Sequence, residues 1–331
     1  MTLAPYFNEV IQMYDVTALG ELLIDFACMN TDAEGYPTMA AHPGGAPANF
    51  LAAITKFGGK TALLGKVGTD AFGKMLIGTL KKAGIETRGL LTDDNYFTTL
   101  AFVTFDETGN REFSFSRKPG ADTQLRFEDL DLSLIDESMI FHFGTLSLTD
   151  EPARTATQKA VAYAKSKGKL ITYDPNLRKP LWKDLETAKE QLRWGLQQAN
   201  VVKISDEEVK FLFDMDPRQG AQHILDAYGV KLVFVTCGSD GCWYQNARAK
   251  GHVDSLRGIQ VIDTCGAGDI FGGSVLWKLL SIGKAPEDLE EPELLNAVRF
   301  ATASAGLSTT RGGGISSIPS YEEVAARLSN E

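Results

Sequence analysis

Along this chain, short and mainly apolar runs bounded by glycine, proline or polar residues alternate with longer stretches whose apolar positions recur every three to four residues. The short runs at 16–19, 61–67, 139–143, 170–173, 201–204 and 232–236 are predicted as strands. The longer ones at 48–57, 72–83, 153–167, 185–199 and 220–228 are predicted as helices, with a short helix after Ser205 and with Gly84 and Gly168 as stops. Strands that are apolar on both faces and separated by helices imply a parallel sheet covered on each side, with ligands at the carboxyl ends of its strands. Two segments break this rhythm. At 21–27 and again at 98–116 the pattern turns toward period two (Leu100, Phe102 and Phe105, then Phe113 and Phe115), with a turn at Glu107-Thr108-Gly109-Asn110. These segments are expected to form a small sheet apart from the main one, either a lid over the crevice or an ordinary edge hairpin. A last β-branched run, 259–262, reads as a strand leading through a glycine turn into an apolar helix at 270–280.

Composition changes this picture little. With 331 residues, 44% hydrophobic and 23% charged, the chain is long enough for one α/β domain with an appendage and too apolar for a disordered one. The first dozen residues read as a tail. A formal charge of −10 argues against a nucleic-acid-binding face. The absence of Lys or Arg before Lys56, and of any apolar run near the roughly 20 residues of a membrane span, leaves no sign of a leader or a membrane partner. Cys28, Cys237, Cys242 and Cys265 show neither CxxC spacing nor a disulfide framework, so a reducing cytoplasm is expected. The four histidines have no ligand-spaced partners, and His142 between Phe141 and Phe143 reads as a hydrogen-bonded strand residue.

The chemistry concentrates in Asp263-Thr264-Cys265-Gly266-Ala267-Gly268-Asp269, where a glycine turn opens a helix. The bare N–H groups of Gly266, Ala267 and Gly268 and the positive end of the helix dipole suit an anion, and Asp269 can accept a proton from an attacking hydroxyl. Alone, Asp269 reads equally as a helix cap. Two other glycine patterns fail: Gly58-Gly59-Lys60-Thr61 has Ile54 where a P-loop needs glycine, and Gly266-Ala267-Gly268 has Phe271 at the third glycine of a dinucleotide fingerprint. Four further clusters stand at predicted strand ends or helix starts. In Gly44-Gly45-Ala46-Pro47-Ala48-Asn49 the glycines allow close backbone approach, and Asn49 offers a donor and an acceptor. Asp25 follows the first strand, Asp174-Pro175-Asn176-Leu177-Arg178 follows another, and Thr236-Cys237-Gly238-Ser239-Asp240-Gly241 suits backbone contact with a nucleotide. Lys203-Ile204-Ser205-Asp206-Glu207-Glu208 fits a plain capping box just as well.

In their order and spacing these motifs resemble the ribokinase-like family of carbohydrate kinases, and among its members the fructokinases, from about Tyr14 to Pro319; Ile24-Asp25-Phe26, Phe141-His142-Phe143-Gly144 and Leu181-Trp182 add to the likeness. The resemblance implies a ribokinase-like three-layer αβα sandwich with a mostly parallel central sheet and a small β-sheet lid: a tail at 1–13, one domain over 14–331, and lid strands at about 21–40 and 95–121. It implies ATP-dependent phosphorylation of fructose at its 6-hydroxyl, with Asp269 as the base and Gly266, Ala267 and Gly268 as the anion hole. Asp25, Gly44, Gly45, Asn49, Asn176 and Arg178 would hold the sugar with help from Arg117 on the lid, and Ser205, Glu208, Thr236, Gly238 and Gly241 would lie at the nucleotide. Glu208 would meet Mg2+ through water, although Ser205 stands where the family has asparagine. Asp263, Cys265, Gly313 and Ser317 match positions that hold a monovalent cation such as K+, and the same glycines also read as a loop. Two lids could pair in a homodimer, or the apolar lid residues could cover the chain's own crevice. A 2-keto-3-deoxygluconate kinase would need a guanidinium for its substrate's carboxylate, which Arg117 or Arg178 could supply. A dinucleotide-dependent oxidoreductase is a remote alternative and lacks an early glycine fingerprint.

Overall fold

The computed structural model describes residues 13–105 and 111–330; the tail and the turn at 107–110 lie outside them. The strands are β1 (Tyr14–Leu19), β2 (Leu23–Thr31), β3 (Pro37–Gly44), β4 (Thr61–Gly68), β5 (Leu90–Asp93), β6 (Leu100–Phe105), β7 (Arg111–Ser116), β8 (Ser138–Gly144), β9 (Leu170–Asp174), β10 (Val201–Ser205), β11 (Leu232–Thr236), β12 (Cys242–Asn246) and β13 (Lys250–Val253). The helices are α1 (Ala46–Lys56), α2 (Ala71–Ala83), α3 (Ser133–Asp136), α4 (Ala153–Ser166), α5 (Leu185–Gln198), α6 (Asp206–Phe213), α7 (Pro217–Tyr228), α8 (Ala267–Ile282), α9 (Glu291–Ser308) and α10 (Tyr321–Ser329).

The main sheet runs β13-β12-β11-β10-β9-β8-β1-β4-β5, parallel from β11 to β5 and closed at one edge by the antiparallel β12 and β13. Alternate residues of each inner strand enter opposite cores. Ile140, Leu170, Val201, Leu232 and Phe234 pack toward α1, α8 and α9, whereas Phe141, Phe143, Ile171, Tyr173, Val202, Val233 and Val235 pack toward α4, α5 and α7. Burial on both faces is why these strands read as unbroken apolar runs. Four of the polar exceptions, His142, Thr172, Asp174 and Lys203, share the face turned toward α8, and all are buried or nearly so. His142 meets Thr172 Oγ1 at 3.0 Å through Nδ1 and stacks on Phe50 at 3.8 Å. Burial pushes its pKa down to about 3, so the ring stays neutral.

A separate sheet, β3-β2-β6-β7, stands beyond the carboxyl end of β1, with β2 and β6 parallel and antiparallel pairs at each side. The run 259–262 is not a strand. The main sheet ends at β13, and these residues form a loop in which Val261 and Ile262 are 56% and 66% exposed. The backbone amides of Ile262 and Asp263 donate to the Thr309 carbonyl past the end of α9 instead of to a neighbouring strand. Branching at Cβ favours an extended backbone, but without a free strand edge it makes no ladder. No helix among the described residues is long and apolar enough to cross a membrane.

Candidate active site

Residues that are distant in sequence meet where β1, β9 and β10 end and where α1 and α8 begin. Gly266 caps α8 with φ 73°, the Ala267 amide donates to the Thr264 carbonyl at 3.3 Å, and Asp269 stands in the first turn of the helix. Asn49 of α1 donates through Nδ2 to Asp269 Oδ2 at 2.9 Å, and Asn176 approaches Asp269 Oδ1 at 3.4 Å. Asn176 sits at φ 46° just past Pro175, a turn held by its own amide donating to Asp174 Oδ1 at 3.2 Å. Asn49 Oδ1 is buried without a hydrogen-bond partner. On the other side of α1, Gly45 has φ 111°, and a Cβ there would come within 2.5 Å of the Glu21 carbonyl; the Ala46 amide beside it donates to Glu21 Oε1 at 2.9 Å. The resulting cavity, about 180 Å³, is lined by Glu21, Asp25, Gly45, Asn49, Asn176, Arg178, Lys203 and Asp269 together with the glycine turn.

Its electrostatics are those of several acids around two cations. Lys203 donates to Asp174 Oδ2 at 3.0 Å. Burial works against its charge, but Asp174, Glu208 and Asp269 outweigh burial and raise its pKa. Asp269 is raised by burial, partly offset by Lys203 and by the Asn49 amide. Asp174 is likewise raised by burial. Burial lifts Asp25 to about 6 against the pull of Arg178, and lifts Glu21 to about 7. Glu21 therefore carries a stability signature. Its folded carboxyl keeps the proton to about 7 where an unfolded one loses it near 4.5, so the native state binds more protons across that window and stability falls as pH rises through it. Glu21→Gln retains an acceptor for Ala46, and should be more stable than wild type by up to ~3 kcal/mol at pH 8 and equal to it at pH 4 in denaturant unfolding. A gain that does not depend on pH would contradict a buried carboxylate as its source.

A second and more apolar cavity of about 520 Å³ is lined by Thr236, Gly238, Gly241, Leu256, Phe271 and Thr302, among others. Thr302 Oγ1 is buried without a partner. Thr264 and Gly268 line both cavities, so the glycine turn of Asp263–Asp269 is a partition between an acidic polar chamber and an apolar one.

Asp25, Gly45, Asn49, Asn176, Arg178, Gly266, Gly268 and Asp269 thus come together at the first cavity, and Thr236, Gly238, Gly241 and Ala267 line the second. Gly44 closes β3 against Asp25, whose Oδ2 would lie 2.0 Å from a Cβ added there. Arg117 differs from expectation. Its side chain is 1% exposed and is not among the residues lining the cavity; it is paired with Asp122, because the chain beyond β7 turns inward. Glu208 accepts from the Leu177 amide through Oε1 at 2.7 Å and from Ser205 N through Oε2 at 2.8 Å, completing a capping box on α6 that joins the ends of β9 and β10. Asp263 accepts from Cys265 N and from Gly313 N, each at 3.0 Å, which clips two loops together; Ser317 Oγ donates to the Gly314 carbonyl. Glu21, Lys203 and Thr302 had no role in the expected site, whereas Asp174 was expected at the strand end. A lysine inside a mainly apolar strand, one strand over from Asp174, was the available signal for Lys203.

This arrangement has known counterparts. The pfkB family carbohydrate kinase model matches residues 13–321. A probable fructokinase-4 of Arabidopsis thaliana is 40% identical over 316 residues, spanning 95% of this chain and 96% of that one. The structure of a Xylella fastidiosa fructokinase with bound ATP superposes with a TM-score of 0.84 at 30% identity, over 96% of this chain and 98% of that one. A Vibrio cholerae fructokinase bound to fructose, ADP and calcium gives 0.85 at 30% identity over 96% and 99%. With the match running through nearly every element that builds the two chambers and the turn between them, the chain belongs to the pfkB family of carbohydrate kinases.

Proposed function

We propose that this chain is a fructokinase, transferring the terminal phosphoryl group of ATP to the 6-hydroxyl of fructose. One observation carries the reading: the glycine turn of Asp263–Asp269 is the shared wall of two chambers, one polar and acid-lined, the other apolar. A sugar suits the first, since Asp25 and the unpartnered Asn49 Oδ1 can accept hydrogen bonds from hydroxyl groups. A purine suits the second, with Phe271 and Leu256 for its faces and Thr302 for a polar edge. Asp269 accepts the proton of the attacking hydroxyl, the Gly266–Gly268 amides face the charge that develops on the transferring group, and Lys203 adds a positive charge beside them.

Mg2+ arriving with the nucleotide would supply further charge neutralisation on its phosphates, with Glu208 of α6 as the acid that would hold water around it. Glu208 fits that task because its two oxygens each accept one backbone amide and keep a second lone-pair direction. A monovalent cation belongs, on this reading, at the Asp263–Cys265–Gly313 clip near Ser317. The small sheet acts as the lid of a single domain over 14–331, and its outer strands are the surface through which two copies would pair. The four thiols are free, in keeping with a cytoplasmic enzyme.

A carboxylate substrate such as 2-keto-3-deoxygluconate fits less well. Arg117 is spent on Asp122, and Arg178 faces a chamber holding Glu21, Asp25 and Asp269. The test is ADP release with fructose, ribose, adenosine and 2-keto-3-deoxygluconate in turn. Fructose should give the highest kcat/KM; preference for another sugar would retire the fructose assignment while keeping the kinase, and no turnover with any would retire both.

A further inference from the structure

The separate sheet joins the body through four connections, 20–22 before β2, Gly45 after β3, 94–99 before β6 and 117–120 after β7. Polar groups from the first, third and fourth of these, with the first amide of α1 after the second, stand close together in buried surroundings. Arg117 donates through Nε to Asp122 Oδ2 at 2.8 Å, through Nη1 to Thr149 Oγ1 at 2.7 Å and through Nη2 to the Leu146 carbonyl at 2.8 Å. Its Nη2 also lies 2.7 Å from Asp122 Oδ2, with the two side chains 1% and 3% exposed. Thr99, from the third connection, donates to Asp122 Oδ1 at 2.5 Å. Glu21, from the first, holds the Ala46 amide of the second and feels the charges of Arg117 and Asp122. Leu146, whose carbonyl Arg117 holds, lines the sugar chamber, as does Glu21, which feels the charges of the pair.

Resting on the lid reading above, we propose that the Arg117–Asp122 pair is a positioning clasp. It holds the small sheet closed over the sugar chamber and sets the places of Glu21 and Leu146, without touching the sugar. Four of the five guanidinium N–H groups go to Asp122, Thr149 and a main-chain carbonyl, Asp150 Oδ2 stands 3.6 Å from Nη1, and the planar fork is what spans three separate segments. A lysine keeps the charge but bonds from one point, so it cannot hold Asp122, Thr149 and Leu146 together.

A clasp acts on how well the site closes. Arg117→Lys, Asp122→Asn and Thr149→Val, all in the full chain, should raise KM for fructose by about tenfold or more in the first two and less in the third, with KM for ATP within about twofold of wild type. The same variants should release ADP without forming sugar phosphate, the uncoupled fraction rising about tenfold as water reaches the transferring group. Hydrogen exchange gives a readout independent of turnover: amides of β2 and β6 should exchange faster in the variants while those of α8 and α9 stay as in wild type. A rise in fructose KM confined to Arg117→Lys, with Asp122→Asn and Thr149→Val unchanged, would mean direct sugar contact and overturn the clasp. So would lowered melting temperature with coupling and exchange of β2 and β6 unaltered. If the wild type phosphorylates no sugar, the functional reading fails, and exchange in β2 and β6 alone decides whether the clasp stands.

Discussion

Asp269→Asn lowers kcat for phosphoryl transfer to fructose by about 10²- to 10⁴-fold and leaves the fold intact. The substitution keeps shape and an oxygen acceptor, so the Nδ2 of Asn49, 2.9 Å away in the wild type, still has a partner. What disappears, on the proposed mechanism, is the base. Burial lifts the Asp269 pKa while Lys203 and the Asn49 amide restrain the rise, so the carboxylate is more basic than a surface aspartate. The variant should therefore lose the acid limb of its pH–rate profile along with its rate, while ATP affinity, read by ligand-induced stabilisation, stays near wild type. Activity within about tenfold of wild type would remove Asp269 from the base role and leave it as a helix-capping acid.

Much of this site was legible in the residues because parallel strands buried on both faces announce themselves as apolar runs, and their polar successors then mark the ligand side. Asp174, Asn176 and Arg178 followed from Pro175 ending β9, and Asp269 from the glycine turn. What stayed hidden depends on partners that periodicity does not encode. The loop 259–262 looked like a strand until the sheet proved to end at β13. Arg117 looked like a ligand residue because nothing local shows that Asp122, five residues on, turns back to pair with it. The edge strands β12 and β13 mix polar and apolar residues and lie outside the uniformly apolar pattern. Glu21 was passed over beside the more obvious Asp25, although only Glu21 bridges to the start of α1.

Lys203→Met separates the two tasks that the chamber's buried ammonium performs. Its Nζ bonds Asp174 Oδ2 at 3.0 Å, and it lies so near the anion-hole backbone that a Cβ on Gly268 would come within 2.9 Å of it. Methionine fills the same length without charge. Asp174 and Asp269 then lose the cation that restrains their pKa values, both rise further, and the acid limb of the pH–rate profile moves alkaline. Folding follows the same sign: with native carboxyls holding protons that the unfolded chain releases, the variant is most stable in acid and loses stability as pH rises. Once those carboxylates are ionised, the penalty approaches the ~3–5 kcal/mol of a broken buried pair. Charge on the transferring phosphoryl group is the second task, and losing one such donor typically costs about 10²- to 10³-fold in kcat. Raising the pH restores the base but not that donor, so kcat on the alkaline plateau should still fall short by about that factor. Full recovery at high pH would confine Lys203 to tuning Asp269, and an unmoved acid limb would confine it to the phosphate.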